Sequence, residues 1–281
     1  MNSLSQKAYA KINLTLDVTG ILPNGYHSLR TVMQTISLFD TVTVTLKNCA
    51  DIHILCDDAG VPTDERNTCY KAAKLFLEAV GKAECGADIA IEKHIPSMAG
   101  LGGGSADSAA VLRILNILLK KNLSADKLCE IAVNVGADVP FLINGGTALC
   151  EGIGEKITPV SYDVKHNVLL VKPDFGISTP LAYKSFDDKK LISVDMSASL
   201  ISAMHNGEAI YDYLSNDLET AVADDKIIRI KQELKGCRAK ASMMTGSGSC
   251  VYGLFDSEGE CLRALDRLSG RYAFVYACKT I

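Results

Sequence analysis

The sequence predicts an α+β protein of two domains. The chain has 281 residues, of which 48% are hydrophobic, so it is long enough and apolar enough for two cores. Segments that alternate between apolar and polar residues are interleaved with segments of helical spacing. From residue 167 onward the predicted order is strand, helix, strand, strand, helix, strand, as in a ferredoxin-like unit. We therefore expect one domain over residues 1–160 and a second, ferredoxin-like domain over residues 161–281.

The first element is a half-buried strand. Over residues 7–18, aliphatic side chains alternate with polar ones, the pattern of a strand with one face in a core. This alternation places Lys11 and Asn13 on the polar face, two residues apart. A lysine on such a face is usually solvated, so the strand by itself does not identify a site.

Turn residues, helix caps and changes of periodicity predict the rest of the first domain. Pro23, Asn24 and Gly25 form a turn before Tyr26 and His27, which either hold a flat ring or cover the edge of the sheet. In chain order, the elements that follow are a β-hairpin over residues 31–46 that bends near Asp40, a helix over 67–80 with Asn67 as N-cap, a strand over 87–93, a helix over 106–119 with Ser105 as N-cap, a helix over 125–135 with Ser124 as N-cap, and a strand over 148–155.

The second domain is predicted in the same way. Its elements are a strand over residues 167–171, a helix that begins at Thr179 and Pro180 with Tyr183 in its first turn, amphipathic helices near 196–205, 218–223 and 226–234, strands over 239–244 and 249–255, a helix over 258–268, and a strand over 272–277. Residues 245–249 form a Gly/Ser turn between two strands. This turn is either a backbone nest for an anion or a tight hairpin.

One stretch, residues 96–108, carries the clearest functional signal. It has four glycines within five residues, at Gly100 and 102–104, and leads directly into a helix. Glycine lets the backbone approach a ligand closely, and a helix N-terminus attracts anions. The stretch lacks the Lys-Ser/Thr pair of a P-loop, and Ser105 stands where G-x-G-x-x-G requires glycine. It therefore predicts a phosphate-binding loop of another kind.

Asp138 lies in a short segment, residues 136–140, that follows a predicted helix. Pro140 favours an extended backbone at Val139, which would place Asp138 on a corner of defined geometry. An aspartate in a turn commonly hydrogen-bonds its own backbone. From the local pattern alone, a structural role is therefore the simpler interpretation of this residue.

Charge and cysteine usage narrow the class of partner. The net charge of −4 gives no attraction for nucleic acid or an anionic membrane, so a small-molecule partner is expected. The ten cysteines show no C-x-x-C pair and no cysteine–histidine cluster, so we expect buried, reduced thiols and a cytoplasmic protein. We expect neither a signal peptide nor a membrane span, because the first seven residues are polar and no apolar run is long enough.

Five separated motifs together resemble the GHMP kinase superfamily. They are AYAKINL at residues 8–14, GYHSL at 25–29, the glycine-rich stretch at 96–108, GADVP at 136–140 and TGSG at 245–248. The glycine-rich stretch indicates only the superfamily. The motifs at residues 8–14, 25–29 and 136–140 make the chain similar to the branch that acts on 4-diphosphocytidyl-2-C-methyl-D-erythritol, in the non-mevalonate isoprenoid pathway. The resemblance covers essentially the whole chain.

This resemblance implies a two-domain fold and a reaction. The first domain would be like domain 2 of ribosomal protein S5 and the second ferredoxin-like, with the active site in the cleft between them. The γ-phosphoryl group of ATP would pass to the 2-hydroxyl of the methylerythritol unit, with Mg²⁺ on the phosphate oxygens. Asp138 would accept the hydroxyl proton, and Lys11 beside it would keep that carboxylate ionised.

The resemblance also implies the binding residues, although it leaves the metal ligands unidentified. Those for ATP are Asn67, Thr68 and Lys93 at the adenine, and Pro96, Ser97, Met98, Ala99, Gly100, Leu101, Gly102, Gly103, Gly104, Ser105 and Ala106 at the phosphates. Those for the acceptor are Tyr26, His27 and Tyr183 at the cytosine, with a tyrosine on each side of the base, and Asn13, Gly136, Ile153 and Thr179 along the rest. Met33 departs from the family, which often has an aromatic residue there, but its sulfur can still pack on a ring.

Three alternatives stay open. The chain could be another GHMP kinase, acting on homoserine, mevalonate or a sugar, against which the implied cytosine residues argue. It could be a non-catalytic nucleotide-binding protein of this fold, against which Lys11, Asp138 and the intact glycine-rich stretch argue. A dinucleotide oxidoreductase needs the missing glycine at position 105 and a carboxylate at a strand end about 20 residues on, where Asp126 instead lies in the first turn of a helix. The sequence does not fix the oligomeric state, and we expect a monomer or a weak homodimer.

Overall fold

The computed structural model describes residues 2–23 and 25–281, so Asn24 of the predicted turn lies outside the described residues. Two compact units are present, and each is built from separate stretches of the chain. Unit 1 contains residues 2–10, Leu38–Ser97 and Gly102–Gly145, and unit 2 contains Lys11–Ser37, Met98–Leu101 and Gly146–Ile281. Because both units are discontinuous in sequence, a domain boundary between residues 160 and 161 stays a prediction.

The described chain opens with four strands, and helices and strands are mixed after them. The strands are β1 (Ser3–Asn13), β2 (Thr15–Ile21), β3 (His27–Lys47), β4 (Ile52–Cys56), β5 (Gly86–Glu92), β6 (Thr147–Gly152), β7 (Lys156–Pro159), β8 (Asn167–Lys172), β9 (Ser215–Asn216), β10 (Ala241–Met244), β11 (Val251–Phe255) and β12 (Phe274–Lys279). The helices are α1 (Thr68–Ala79), α2 (Gly103–Leu118), α3 (Ala125–Ala132), α4 (Val139–Asn144), α5 (Thr179–Asp188), α6 (Met196–Asn206), α7 (Asp217–Val222), α8 (Asp225–Gly236) and α9 (Glu258–Leu268), with a 3-10 turn at Tyr211–Tyr213.

Unit 1 places helices against a small sheet. The second half of β3 pairs antiparallel with β5, which pairs parallel with β4. Helices α1 and α2 pack on each other, and α4 packs on α2. The predicted caps of two helices are confirmed, because Asn67 accepts from Cys69 N and Ser124 accepts from Lys127 N. Fixed caps define where these helices begin.

The predicted hairpin near Asp40 is wrong, because β3 continues without a break from His27 to Lys47. An aspartate in the middle of a strand resembles a turn signal, since buried carboxylates are rare. Asp40 is nevertheless fully buried, and its carboxylate accepts from the backbone of His94 at 2.5 Å and Ile95 at 2.8 Å. These partners are more than fifty residues away, so no local pattern could show them.

The start of α2 and the presence of α4 also differ from prediction. Helix α2 begins at Gly103 with Gly102 as its N-cap, so the predicted Ser105 cap is wrong and Ser105 lies in the first turn. At Gly102, a φ of 73° turns the chain into the helix earlier than the side-chain signal indicates. Helix α4 begins at Val139, which is helical rather than extended. Its N-cap is Asp138, and Pro140 takes a position where a missing N–H costs little.

Unit 2 confirms the ferredoxin-like prediction. Its four-stranded sheet has the order β10-β11-β8-β12 with every pair antiparallel. Helices α8 and α9 pack against strands of this sheet. In the same unit, the first half of β3 pairs with β2 and β6, β7 pairs with β6, and β9 pairs with β2. None of the helices in the described chain is both long and apolar enough to cross a membrane.

Candidate active site

The middle of the glycine-rich stretch, Met98–Leu101, belongs to unit 2 and is held there by backbone hydrogen bonds. The carbonyl oxygen of Leu101 accepts from Lys11 N at 3.0 Å. The carbonyl oxygen of Ala99 accepts from Cys250 N at 3.2 Å. These bonds attach the loop to β1 on one side and to the residue before β11 on the other.

Gly100 is the point of closest approach in this loop. Its φ is +73°, and a Cβ atom placed there would lie 2.0 Å from the carbonyl oxygen of Thr245. The Thr245 hydroxyl in turn donates to the carbonyl oxygen of Gly100 at 3.3 Å. Position 100 therefore requires glycine for its backbone angle and for the space. The Gly/Ser turn at residues 245–249 thus joins two antiparallel strands and also packs on the loop.

Lys11 and Asn13 are buried at the end of β1, with 4% and 1% of their surfaces exposed. The Lys11 ammonium donates to Asn13 Oδ1 at 2.8 Å. The amide of Asn13 donates to the Thr31 hydroxyl at 2.8 Å, and its backbone N–H donates to the Thr245 hydroxyl at 3.0 Å. At the C-terminal end of β1, the polar face is therefore a fixed hydrogen-bond network rather than a solvated surface.

In unit 1, the first turn of α2 lies beside two other predicted site segments. The Thr68 hydroxyl donates to the carbonyl oxygen of Gly104 at 3.1 Å. A Cβ atom placed on Gly136 would lie 3.9 Å from Ser105 Oγ. The glycine-rich stretch and the segment that contains Asp138 are thus neighbours within one unit. As the N-cap of α4, Asp138 makes no side-chain capping hydrogen bond, so its carboxylate is not used to begin that helix.

A buried charge cluster of Asp40, Lys93 and Asp107 connects the two ends of the glycine-rich stretch. Their side chains are 0%, 7% and 3% exposed. The Lys93 ammonium forms an ion pair with Asp40 and a second one with Asp107 at 2.7 Å. Because Asp40 also binds the backbone at residues 94 and 95, the cluster joins the chain just before Pro96 to the first half of α2.

Two carboxyl groups share one ammonium in this cluster. Burial raises the pKa of Asp107 to about 7; the Lys93 charge opposes this shift and the Asp40 charge adds to it. Burial lowers the pKa of Lys93, but the charges of Asp107 and Asp40 outweigh it, and the pKa is raised overall. Among the described residues, Asp107 Oδ1 has no hydrogen-bond partner. Below that pKa the Asp107 carboxyl is neutral and still accepts from Lys93, and above it the same contact becomes an ion pair.

Two of the predicted adenine residues use their side chains inside the protein. Asn67 Oδ1 accepts from Cys69 N at 2.9 Å, and its amide donates to the carbonyl oxygen of Pro62 at 2.7 Å. Lys93 belongs to the charge cluster. Sequence reasoning missed Asp40 and Asp107 as site residues. Asp107 could have been found from the sequence, because it is an acidic residue within the apolar pattern of α2.

The predicted acceptor residues of unit 2 include an aromatic stack. The rings of His27 and Tyr183 lie 4.6 Å apart at 19°, and His27 Nε2 lies 2.9 Å from an Asp187 carboxylate oxygen. Tyr26 is 63% exposed. Tyr183 therefore stacks on His27, whereas the placement of two tyrosines around one base stays a prediction. The Thr179 hydroxyl lies 2.9 Å from the Ser247 hydroxyl, and Ile153 N donates to Glu155 at 2.7 Å.

Comparison with known proteins identifies the family. The pattern of the GHMP kinases N terminal domain matches residues 67–146, and the pattern of the GHMP kinases C terminal region matches residues 198–273. A Clostridium beijerinckii protein named 4-diphosphocytidyl-2-C-methyl-D-erythritol kinase is 42% identical over 98% of this chain and 99% of its own length. This chain belongs to the GHMP kinases.

Solved structures agree with this membership. The crystal structure of a 4-(cytidine 5'-diphospho)-2C-methyl-D-erythritol kinase superposes with a TM-score of 0.84 at 29% identity, covering 99% of both chains. L. major mevalonate kinase superposes with a TM-score of 0.78 at 15% identity over 99% of this chain and 97% of that enzyme, which shows the shared fold. The predicted two-domain GHMP kinase fold and the prediction of a small-molecule kinase are confirmed.

Proposed function

We propose that this GHMP kinase transfers the γ-phosphoryl group of ATP to the 2-hydroxyl of 4-diphosphocytidyl-2-C-methyl-D-erythritol, giving the 2-phosphate and ADP. One observation carries the proposal. The glycine-rich loop is held against Lys11 on one side and Cys250 on the other, in a chain whose 42% identical relative is named for that substrate.

The chain's contribution is to position the two substrates and to stabilise charge. Phosphoryl transfer passes through a loose transition state with negative charge on the equatorial oxygens. The backbone of the glycine-rich loop and the N-terminus of α2 offer N–H groups to those phosphates. Asp138 accepts the proton of the acceptor hydroxyl, and Lys11, held by Asn13, stabilises the negative charge that develops.

Magnesium is part of the proposal. The described residues hold no group of three or more His, Cys, Asp or Glu side chains placed to bind a metal. In kinases, magnesium binds through one or two protein oxygens and the phosphates of the nucleotide. Here it would be held chiefly by ATP oxygens, and it would neutralise charge on the β- and γ-phosphates.

The remaining predicted residues complete the proposal. Residues 96–106 bind the ATP phosphates, while Asn67, Thr68 and Lys93 line the adenine. Asn67 and Lys93 do so through backbone atoms, because their side chains already bind other residues of the protein. Tyr26, His27 and Tyr183 hold the cytosine. Asn13, Gly136, Ile153 and Thr179 line the rest of the acceptor. We further propose a cytoplasmic enzyme that is a monomer or a weak homodimer.

A coupled ADP-release assay tests the function directly. The protein is given ATP and Mg²⁺ with 4-diphosphocytidyl-2-C-methyl-D-erythritol, homoserine, mevalonate or galactose as acceptor. We expect turnover with the cytidyl compound alone. Turnover with another acceptor would refute the assignment of the cytosine-binding residues, but it would still agree with ATP binding at the glycine-rich loop. Binding of ATP without turnover on any acceptor would refute the kinase activity on this substrate set.

A further inference from the structure

Five of the eight arginines of the chain line two adjoining grooves in unit 2. The grooves have volumes of about 420 and 390 Å³ and lie at the C-terminal end of α8 and along α9. The first is lined by Arg238, Arg263 and Arg267 with Glu260, and the second by Arg229, Arg267 and Arg271 with Glu233. Arg267 belongs to both, and no lining residue of either groove belongs to the proposed active site.

The carboxylate of the second groove is already engaged. Glu233 accepts from Arg229 at 3.2 Å, from Arg271 at 2.8 Å and from the Tyr272 hydroxyl at 2.8 Å. Its side chain is 19% exposed, which leaves little of the carboxylate for other cations. Arg229 and Arg271 are therefore fixed by internal contacts, and this carboxylate is not available to the arginines of the first groove.

The arginines of the first groove lack such partners. Arg238, Arg263 and Arg267 are exposed, and none forms an ion pair with another residue in the part of the chain that the structure describes. Glu260 instead accepts from the Ser257 hydroxyl at 3.3 Å. With five arginines and two glutamates, the two grooves carry three excess positive charges in a chain whose net charge is −4.

Arg238 also occupies a backbone position that glycine usually takes. It follows the C-cap of α8 and has a φ of 72°, in the left-handed region. Glycine or asparagine is common at this position after a helix, because a larger side chain is strained there. Here the strained position carries a long cationic side chain that lines the groove.

These observations define the chemical class of a ligand. Guanidinium groups bind phosphate through paired N–H donors, and neighbouring unpaired cations repel one another until an anion lies between them. Among the described residues, no aromatic side chain lines either groove, so neither offers a surface on which a base could stack. The volumes suit a small molecule. We propose that the two grooves form a binding site for a small polyphosphate anion, with Arg267 as the arginine common to both halves.

Inorganic diphosphate is the probe for this site, and backbone amide NMR of the full chain is the measurement. We expect saturable shifts at residues 236–239 and 263–271, analysed separately from any shifts at residues 98–104. Arg267→Gln removes one charge-assisted contact, so it should raise the diphosphate Kd fitted at the groove amides by about tenfold or more. The Kd fitted at residues 98–104 should stay unchanged. Arg267→Lys should raise the groove Kd less, because the charge remains while the planar fork is lost.

Lys127→Gln is the matched control, because it removes an exposed cation that already pairs with Glu130. We expect it to change neither isotherm. The proposal is overturned if the groove amides do not shift, if Arg267→Gln leaves their isotherm unchanged, or if inorganic monophosphate binds as tightly as diphosphate. Tighter binding of a short RNA at the same amides would also overturn it. The shifts are measured at groove residues of unit 2 and do not depend on which acceptor the enzyme phosphorylates, so the two proposals fail separately.

Discussion

Asp138 is the residue on which the proposed chemistry most depends. Asparagine is as good an N-cap as aspartate, and Asp138 makes no capping hydrogen bond, so Asp138→Asn should leave α4 intact. We expect kcat to fall by roughly 10²–10⁴ with little change in KM, because the substitution removes a proton acceptor needed only in the transition state. Steady-state kinetics with both substrates measures this effect. Exposed Asp163→Asn is the control, and a kcat for Asp138→Asn within a few-fold of that control would show that the enzyme needs no base at this position.

Tyr183 tests the acceptor pocket. It stacks on His27, so its ring is already ordered for contact with a flat group. We expect Tyr183→Ala to raise KM for the cytidyl substrate and to leave KM for ATP unchanged, because stacking contributes equally to the ground state and the transition state. Tyr183→Phe keeps the ring and should stay close to the parent. An equal rise in KM for both substrates would argue that Tyr183 supports the fold rather than the cytosine.

At the scale of single residues, short motifs predicted which residues belong to the site but not which contacts their side chains make. Asn67 and Lys93 stand in motifs that imply an adenine pocket, yet one side chain caps α1 and the other balances two buried carboxylates. Burial of Asp40 and Asp107 depends on partners far along the chain. A sequence shows that these residue types are present, whereas the hydrogen bonds that satisfy them follow only from the fold.

The glycine-rich loop gives a prediction at the scale of an element. In Gly100→Ala, the new Cβ atom would lie 2.0 Å from a backbone oxygen, and its positive φ adds strain. We expect a large loss of stability, together with a higher KM for ATP. Gly104→Ala is the matched control, because its Cβ atom would meet only the Thr68 hydroxyl at 3.4 Å and its φ is not in the left-handed region. Thermal unfolding of the two variants checks the difference, and equal melting temperatures would contradict the close approach at residue 100.

The buried cluster predicts how stability depends on pH. Asp107 has a pKa raised from 3.8 to about 7, so the folded protein holds a proton that the unfolded chain releases near pH 4. Its contribution to stability is complete below pH 4 and is lost as the pH rises through about 7. Asp107→Asn is neutral at every pH. Relative to the parent, its free energy of unfolding should therefore rise by about 1 kcal/mol or more between pH 5 and 8.

Urea unfolding at several pH values measures this difference. Asp126→Asn removes an exposed carboxylate from the first turn of α3 and serves as the control, with an offset from the parent that we expect to stay flat with pH. A constant offset for Asp107→Asn as well would mean that Asp107 is ionised throughout and that the cluster holds its charge by other means.

Elements with local signals were predicted well, and those defined by distant partners were not. Helix α9 has the predicted bounds, since its Ser257 cap and apolar spacing are both local. The break expected within β3 is wrong because a buried aspartate resembles a turn residue. The start of α2 was placed too late, because the N-cap rule looks for a side chain and Gly102 has none.

For the whole molecule, the order of elements was enough to predict the ferredoxin-like sheet. A strand, helix, strand, strand, helix, strand order leaves few arrangements once connections are short and right-handed. The discontinuity of the two units was not predictable in this way. The chain passes between them within β1, within β3, at both ends of Met98–Leu101 and after Gly145, and no composition change marks the crossings within β1 and β3.

The cysteines provide a probe of how this chain unfolds as a whole. Of the ten, five are buried and only Cys49 is exposed. Burial raises the pKa of Cys250 to about 12 and that of Cys69 well above its usual range, so neither thiol reacts while it is buried. Cys69 lies in unit 1 and Cys250 in unit 2. The buried thiols therefore report on each unit separately.

Because β1 and β3 each supply residues to both units as continuous strands, we expect the units to unfold together. In a Cys49→Ser protein, which lacks the fast-reacting thiol, maleimide labelling followed by mass spectrometry should show Cys69 and Cys250 reacting at the same rate at each urea concentration. Both rates should follow the global free energy of unfolding. If Cys69 reacts many times faster than Cys250 below the unfolding transition, unit 1 opens by itself and strand continuity does not couple the two units.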